Sequence, residues 1–465
     1  MTGSSAPRRG LEPISEVPEH RLPDAPRPRD TGIRLHLRGR SVSLQRLGTP
    51  PAGVLRWLLI LGPGLIASAA GNDAGGIATY SAVGARYGYQ LIWVMLLITI
   101  SLAAVQETCA RLGAATGCGL LDLIRERLGL GWCLCAVTVL VIANTGLVCS
   151  EFVGIGAAAE LLGLSRVIAV PVAAVALWYL VVFGSYTSVE KIFIVMTLVF
   201  FAYPAAALVG GPDWGAVARG AFVPTLHRDP EYIFLLVGLI GTTITPYMQL
   251  YQQSSIVERG AARRHYGPER VDAYLGVGFS NLMSVFMIMA TAATLHRAGH
   301  LHIETAADAA RALEPVAGRA AGWLFAVGLL GASMLAAAVL PLATAYALGE
   351  AFGFRKSVNL DFRRAGTFFG LFTALIIIGA GAALLPGLPV IRWLVGVQVL
   401  NGLLLPIVLF FVIRLANDAE LMGHLKNTRT QNVVAWVTFG LVTTAVVAML
   451  GSQLLEVLGF NVLRG

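Results

Sequence analysis

Long apolar segments recur along the chain, and short polar stretches separate them. A helix needs roughly 20 apolar residues to cross the hydrocarbon core of a bilayer. Eleven segments reach this length, at about 57–84, 88–111, 130–163, 166–184, 190–210, 231–258, 271–296, 319–350, 365–385, 391–415 and 432–456. Strands of a membrane barrel would be about ten residues long and alternating, so all eleven spans are predicted to be helical.

The overall composition agrees with a membrane protein. The chain has 465 residues, of which 56% are hydrophobic and 13% are charged, and its mean hydropathy is +0.72. The charged fraction is about half of that in an ordinary soluble protein. This composition excludes a soluble enzyme, a disordered chain and a nucleic-acid-binding protein.

The first fifty residues lack the apolar pattern. Segment 1–51 is rich in Arg, Pro, Ser and Gly, and it has no short apolar core of the kind that a signal peptide needs. We expect a disordered cytoplasmic tail that rests on anionic lipid. Residues 52–465 are then predicted to form a single transmembrane domain.

The positions of Lys and Arg predict the orientation of the chain. If the N-terminus lies inside, 25 of the 34 basic residues lie inside and 9 lie outside. Basic residues accumulate on the cytoplasmic side of membrane proteins. We therefore expect a multi-pass protein of the plasma (inner) membrane, with its N-terminus in the cytoplasm and its C-terminus outside.

Two predicted spans are interrupted where a membrane helix should be continuous. The first carries Asn72 and Asp73 among several glycines, and the sixth carries Pro246 among threonines and glutamines. Considered separately, the interruption in the first span could be a glycine-rich packing face, and the interruption in the sixth span could be a proline kink. The two breaks lie five spans apart, which predicts an inverted repeat of 57–210 and 231–415 with an extra helix at 432–456. In such repeats the substrate binds at the breaks.

Asp73 carries the sharpest chemistry in these breaks. A carboxylate near the middle of a bilayer must pair, take up a proton or coordinate a cation. The residues alone therefore favour a cation transporter.

The interrupted segments resemble the NRAMP family of divalent-metal transporters. The family's first-helix pattern is matched by 62–64 and 73–79, and its sixth-helix pattern by 241–247. Further matches are Gln106 to Arg111 with 112–117, 125–127, Glu151 with Gly154, Gln398 with 405–406, and 420–423. The resemblance implies an all-α, LeuT-like fold of eleven transmembrane helices, with helices 1 and 6 unwound at mid-membrane.

The resemblance also implies a set of metal ligands, two of which are altered here. Asp73 and Gln398 match the family's carboxylate and amide, whereas Gly76 stands in place of its Asn and Thr245 in place of its Met. Backbone carbonyls are expected from Ala70 and Thr242. A thioether selects softer ions, so its loss leaves a roomy all-oxygen site that is similar to the NRAMP-related magnesium transporters. Asn72 and Gln249 are expected to line this site. Tyr247 is expected either to line it or simply to pack.

Proton coupling is the second departure from the family pattern. Tyr247 stands where the family has a His, and Val148 stands where it has an Asp. Glu151 remains as a polar relay, or as part of a structural network with Asn144 or Thr145. We expect weak or absent proton coupling, with uptake driven by the membrane potential.

The leading hypothesis is a secondary transporter that takes up hydrated Mg²⁺, with Mn²⁺ as a second ion, by alternating access. A proton-coupled Mn²⁺/Fe²⁺ importer is the first alternative. A sodium-coupled transporter of a small solute and a sensor on a transporter scaffold are the others. We expect no enzymatic activity, no cofactor, no nucleic acid and no obligatory protein partner beside the cation and the lipid bilayer.

Overall fold

The computed structural model describes residues 34–37, 40–43, 72–183, 201–227, 229–258, 266–353 and 366–457. The helices in these ranges are α1 Ala74–Tyr87, α2 Ile92–Thr116, α3 Leu120–Leu128, α4 Leu130–Leu161, α5 Arg166–Phe183, α6 Ala202–Val209, α7 Trp214–Phe222, α8 Pro230–Thr243, α9 Pro246–Glu258, α10 Tyr266–Thr291, α11 Ala306–Ala310, α12 Glu314–Ala317, α13 Ala321–Phe352, α14 Gly366–Ala383, α15 Val390–Ala416, α16 Ala419–Met422 and α17 Arg429–Val457. A π-helical turn, Ala292–His296, extends α10, and 3₁₀ turns lie at Arg311–Leu313, Gly318–Ala320 and Gly423–Leu425.

The predicted membrane helices are confirmed wherever the structure describes them. Nine segments of the described residues are long and apolar enough to cross a membrane. They match nine of the eleven predicted spans. The other two spans, 57–84 and 190–210, are described only from residues 72 and 201, as α1 and α6.

Several of these helices present apolar side chains on their outer faces. On α5, Ile168 is 68% exposed and Phe183 is 65% exposed, and Val447 on α17 is similarly open. A soluble protein seldom exposes apolar patches of this extent. These faces therefore fit hydrocarbon rather than water.

The centre of the bundle is held by α4 and α13, which pack side by side. Asn144 on α4 donates to the Thr344 hydroxyl on α13 at 2.8 Å, in a buried position. Asn144 is thus occupied by Thr344 and not by Glu151, the partner that we considered from the sequence. Small residues allow such close packing, since a β-carbon at Gly154 would lie 2.6 Å from the Ser333 hydroxyl oxygen.

The sixth span is broken at the predicted position. Helix α8 ends at Thr243 and α9 begins at Pro246, so the break consists of Ile244 and Thr245. Proline has no backbone N–H and is well tolerated in the first turn of a helix. Pro246 can therefore begin α9 while it prevents α8 from continuing.

A small β-hairpin lies within the segment that we expected to be disordered. Strands β1 (Arg34–Leu37) and β2 (Arg40–Ser43) pair antiparallel, with Arg34 opposite Ser43 and Leu37 opposite Arg40. The remainder of segment 1–51 lies outside the described residues, so disorder there stays a prediction.

Candidate metal site

Asp73 lies directly before α1, which is the described part of the first predicted span. It is the N-cap residue of α1, and its Oδ1 accepts a hydrogen bond from the Gly76 amide at 2.5 Å. Aspartate favours this position because its carboxylate satisfies an N–H group that the helix itself leaves unpaired. The side chain is 1% exposed. The acidic side chain is therefore held inside the bundle at the positive end of a helix dipole.

Gln398 on α15 is the second side chain of the site. Its Nε2 donates to both carboxylate oxygens of Asp73, at 3.1 and 3.2 Å. Asn401, one turn further along the same face, donates from Nδ2 to the Gln398 Oε1 at 3.2 Å. Asn401 thereby turns the Gln398 amide nitrogen towards Asp73. We did not predict Asn401, although its spacing of three residues from Gln398 was a usable signal.

Two glycines allow α15 to approach the breaks this closely. A β-carbon on Gly75 would lie 2.0 Å from the Gln398 Nε2. On α8, a β-carbon on Gly241 would lie 2.0 Å from the Gln398 carbonyl oxygen. Both distances are far below any real contact, so a side chain at either position would push Gln398 away from Asp73.

The break between α8 and α9 contains unsatisfied hydroxyl groups. Thr242 and Thr245 are fully buried, and neither hydroxyl has a hydrogen-bond partner of normal geometry in the part of the chain that the structure describes, while the side chains of Tyr80 and Tyr247 lie near them. Buried hydroxyls are nearly always paired, so an unpaired one usually marks a site for water, an ion or a ligand. These two oxygens are therefore available to a further group.

Asn72 and Gln249, which we expected to line the site, are engaged in hydrogen bonds, Asn72 with a neighbouring helix and Gln249 with the break that precedes its own helix. Asn72 donates to the Ser280 hydroxyl at 3.2 Å and accepts from the Ser284 hydroxyl at 3.0 Å, both on α10. Gln249 donates to the Thr245 carbonyl at 3.3 Å. They hold the two breaks in place. The two serines could not be identified as partners from the sequence pattern.

The structure describes two of the three other predicted metal-site residues. Tyr247 is buried at the start of α9. Gly76 contributes its amide to Asp73. Ala70 lies outside the described residues.

Glu151, on helix α4, contacts the N-terminal end of α1, where Asp73 also lies. Its Oε2 accepts from the Ala74 amide at 3.3 Å. Its Oε1 is buried and makes no hydrogen bond among the described residues. Glu151 and Asp73 thus occupy different N–H groups of the first turn of α1. This places the second buried carboxylate next to the first but on a separate helix.

The sulfur of Met248 is engaged elsewhere. The Gln106 Nε2 donates to the Met248 Sδ at 3.8 Å. Both residues line a small internal cavity of about 10 Å³, together with Tyr80, Thr243, Ser280 and Asn281. That volume is about the minimum for one water molecule.

Acidic and other metal-binding side chains are sparse around Asp73. Within the described ranges, no three or more His, Cys, Asp or Glu side chains come together. A cation at Asp73 would be held by one carboxylate and by neutral oxygen atoms, which is a donor set for a hard and partly hydrated ion.

Comparisons with known proteins agree with this architecture. The family model for Nramp, "Natural resistance-associated macrophage protein-like", matches residues 64–452. The divalent metal cation transporter MntH of Deinococcus radiodurans is 32% identical over 457 residues, covering 95% of this chain and 100% of that protein. MntH of Ralstonia nicotianae is 33% identical over 411 residues, covering 83% of this chain and 89% of that protein.

Two solved structures show the fold. The manganese transporter of Eremococcus coleocola has a TM-score of 0.67 at 18% identity, over 89% of this chain and 90% of that one. MhsT in complex with L-phenylalanine has a TM-score of 0.54 at 16% identity, over 84% of this chain and 97% of that one. These likenesses confirm the LeuT-like, all-α fold that we predicted.

Proposed function

The chain belongs to the Nramp family, and from this premise we propose that it carries divalent metal ions across the membrane, with hydrated Mg²⁺ as its preferred ion and Mn²⁺ as a second one. The relatives are transporters and not enzymes, and the metal is a substrate rather than a cofactor. One observation carries the proposal. Among the described residues, the buried Asp73 carboxylate meets only neutral donors, the Gly76 amide and the Gln398 side chain.

The charge of Asp73 favours a cation. No Lys or Arg forms an ion pair with it among the described residues. Neutral hydrogen bonds only partly compensate a carboxylate that has been removed from water. A divalent ion between the two broken spans would supply the missing positive charge.

The proposed ligands are oxygen atoms. They are the carboxylate of Asp73, the hydroxyl of Thr245, the carbonyls of Ala70 and Thr242, and the side-chain oxygen of Gln398. Rotation of the Gln398 amide would present Oε1 instead of Nε2 to the ion. Because Gly76 has no side chain, it leaves room for the water that Mg²⁺ retains. Asn72, Tyr247 and Gln249 would surround this set, and any contact of theirs with the ion would pass through its retained water.

Sulfur is missing from this proposed set. Thr245 occupies the position of the family's methionine, and the nearby Met248 sulfur already accepts from Gln106. Thioethers favour softer ions, whereas oxygen ligands suit Mg²⁺, Ca²⁺ and Mn²⁺. The exchange of sulfur for oxygen supports Mg²⁺ over iron or cadmium.

Transport would proceed by alternating access with weak or no proton coupling. Tyr247 and Val148 replace two titrating groups of the family, and Glu151 alone is left as a relay. The membrane potential would then drive uptake towards the cytoplasm, where the N-terminus lies in our proposed orientation. The C-terminus would lie outside.

The test is transport by the purified protein in liposomes that contain a pH-sensitive dye. We expect uptake of Mg²⁺ and Mn²⁺ without a change of lumen pH, and loss of both in Asp73→Ala. Glu304→Gln, which alters an exposed acid far from the breaks, should behave as wild type. Mn²⁺ uptake with lumen acidification and no competition by Mg²⁺ would instead indicate a proton-coupled Mn²⁺/Fe²⁺ importer. Sodium-dependent solute uptake that is insensitive to Asp73→Ala would indicate a solute transporter.

A further inference from the structure

A cavity of about 780 Å³ lies away from the metal site, at the end of the bundle where α1 and α10 finish. One wall is α7, and the others are the residues that follow α1 and the π-helical turn that extends α10. None of the predicted metal ligands that the structure describes lines it. The cavity is therefore separate from the proposed transport site.

The charged side chains of this cavity are mainly basic. Arg219 on α7 and Arg297 after the π-helical turn both line it and are exposed. Neither guanidinium forms an ion pair with a carboxylate within the described ranges. The acid that lines the cavity, Asp213, is occupied in capping α7, where it accepts from the Gly215 and Ala216 amides at 2.9 and 3.1 Å.

The walls of the cavity are fixed by contacts that do not involve the two arginines. The Thr225 hydroxyl donates to the Gln90 carbonyl at 3.1 Å, and the His227 Nε2 lies 2.7 Å from the Gln90 Oε1. The His296 Nδ1 lies 2.8 Å from the Ala85 carbonyl oxygen. The cavity is therefore preformed, and its two guanidinium groups remain available to a ligand.

The surroundings indicate where the ligand comes from. Trp214 and Phe222, at the two ends of α7, are 58% and 80% exposed. A short helix with exposed aromatic residues at the end of a membrane bundle is typical of the interface between lipid and water. Guanidinium groups bind phosphate through paired hydrogen bonds, and arginines near a membrane surface attract anionic lipid headgroups.

We propose that this cavity binds the phosphate group of an anionic phospholipid, with Arg219 and Arg297 as its phosphate ligands. The bound lipid bridges α7 with the end of α1 and the end of α10. This site does not depend on which ion the protein transports.

The test is retention of phosphatidylglycerol by the intact purified protein, measured by native mass spectrometry against phosphatidylcholine. A surface arginine contributes about fivefold to the affinity for anionic lipid. We therefore expect Arg219→Gln with Arg297→Gln to weaken retention by roughly 25-fold. Arg319→Gln, which removes an exposed arginine outside the cavity, should retain the lipid as wild type does.

Lipid retention by the double variant distinguishes the possible ligands. Selective loss of phosphatidylglycerol in the double variant, with metal transport and monodispersity unchanged, would support it. Equal retention by the double variant and the wild type would overturn it. Binding of inorganic phosphate by the wild type without retention of phosphatidylglycerol would also overturn it, since the site would then take a free anion.

Discussion

The amide of Gln398 donates to both carboxylate oxygens of Asp73, at 3.1 and 3.2 Å, across a sequence separation of 325 residues. The tenth span is therefore joined to the first break by a neutral group. A cation that binds Asp73 must displace this amide nitrogen, or the Gln398 amide must rotate so that its oxygen faces the ion. We expect Gln398 to report on the occupancy of the site.

Replacement of Asp73 by Asn should weaken metal binding strongly and preserve the fold. Asparagine caps helices as well as aspartate does, so α1 should still begin at Ala74. Loss of a buried charge that pairs with an ion costs about 3 kcal/mol, or roughly 100-fold in affinity. Isothermal titration with Mg²⁺ and Mn²⁺ measures this change, and unaltered affinity in Asp73→Asn would show that the ion binds elsewhere.

Replacement of Thr245 by Met should change the choice of ion. A thioether at this position adds a soft ligand to a set of oxygens, which favours Mn²⁺ and Cd²⁺ over Mg²⁺. The ratio of Mn²⁺ to Mg²⁺ uptake in competition should rise in Thr245→Met and stay unchanged in Thr245→Ser, which keeps the hydroxyl. An unchanged ratio in both variants would exclude this side chain from the ion's ligands.

Replacement of Gly75 by Ala should separate Gln398 from Asp73. The new β-carbon would lie 2.0 Å from the Gln398 Nε2, and such overpacking typically costs about 1–3 kcal/mol. We expect a lower unfolding temperature and slower uptake. Gly131→Ala on α4, where nothing lies within 4 Å of the added carbon, is the matched control. Adding Gln398→Ala to Gly75→Ala should recover stability, and its failure to do so would contradict the proposed clash.

The membrane potential, and not the pH gradient, should drive uptake. Moving one charge through 100 mV is worth about 2.3 kcal/mol, so a divalent ion gains about 4.6 kcal/mol. Liposomes with an inside-negative potassium potential should accumulate Mg²⁺, and reversing the potential should empty them. A pH gradient alone should have little effect. Accumulation that follows the pH gradient at zero potential would refute weak coupling.

The polar contacts between α1 and the start of α8 should affect the rate of transport more than the stability of the fold. Arg86 pairs with Glu231 at 2.9 Å, with side chains 27% and 40% exposed, and the Tyr87 hydroxyl donates to Asp229 at 2.7 Å. An exposed pair contributes about 0.2–1 kcal/mol. We expect Arg86→Glu to slow transport and the exchange Arg86→Glu with Glu231→Arg to restore it. A double-mutant cycle on uptake rates measures the coupling, which should weaken in high salt.

The membrane spans were predictable because the bilayer sets their length. The predicted span 391–415 is observed as Val390–Ala416, and 319–350 as Ala321–Phe352. The break at Pro246 was predictable because proline cannot continue a helix. Short elements such as α7 and α11 follow no such rule, because five to nine residues are too few to show a membrane-spanning pattern.

The candidate site was only partly predictable. Asp73 is conspicuous because a carboxylate inside an apolar span is costly. The prediction that Gln398 belongs to the same site depended on the resemblance to known proteins. Residues so far apart in the sequence are brought together by helix packing, which a local sequence pattern does not reveal. The serines that hold Asn72 could not be found in this way, because many serines in apolar helices make no contact beyond their own turn.

The capping bond of Asp73 has a consequence for how metal occupancy could be followed. The oxygen that accepts from the Gly76 amide at 2.5 Å is one of the two that the ion would need. A cation withdraws electron density from that oxygen, so loading weakens the cap and loosens the first turn of α1. The amide proton of Gly76 should then exchange with solvent deuterium faster in the loaded protein than in the empty one. Deuterium exchange at Gly76 would thus report the fraction of the protein that holds an ion.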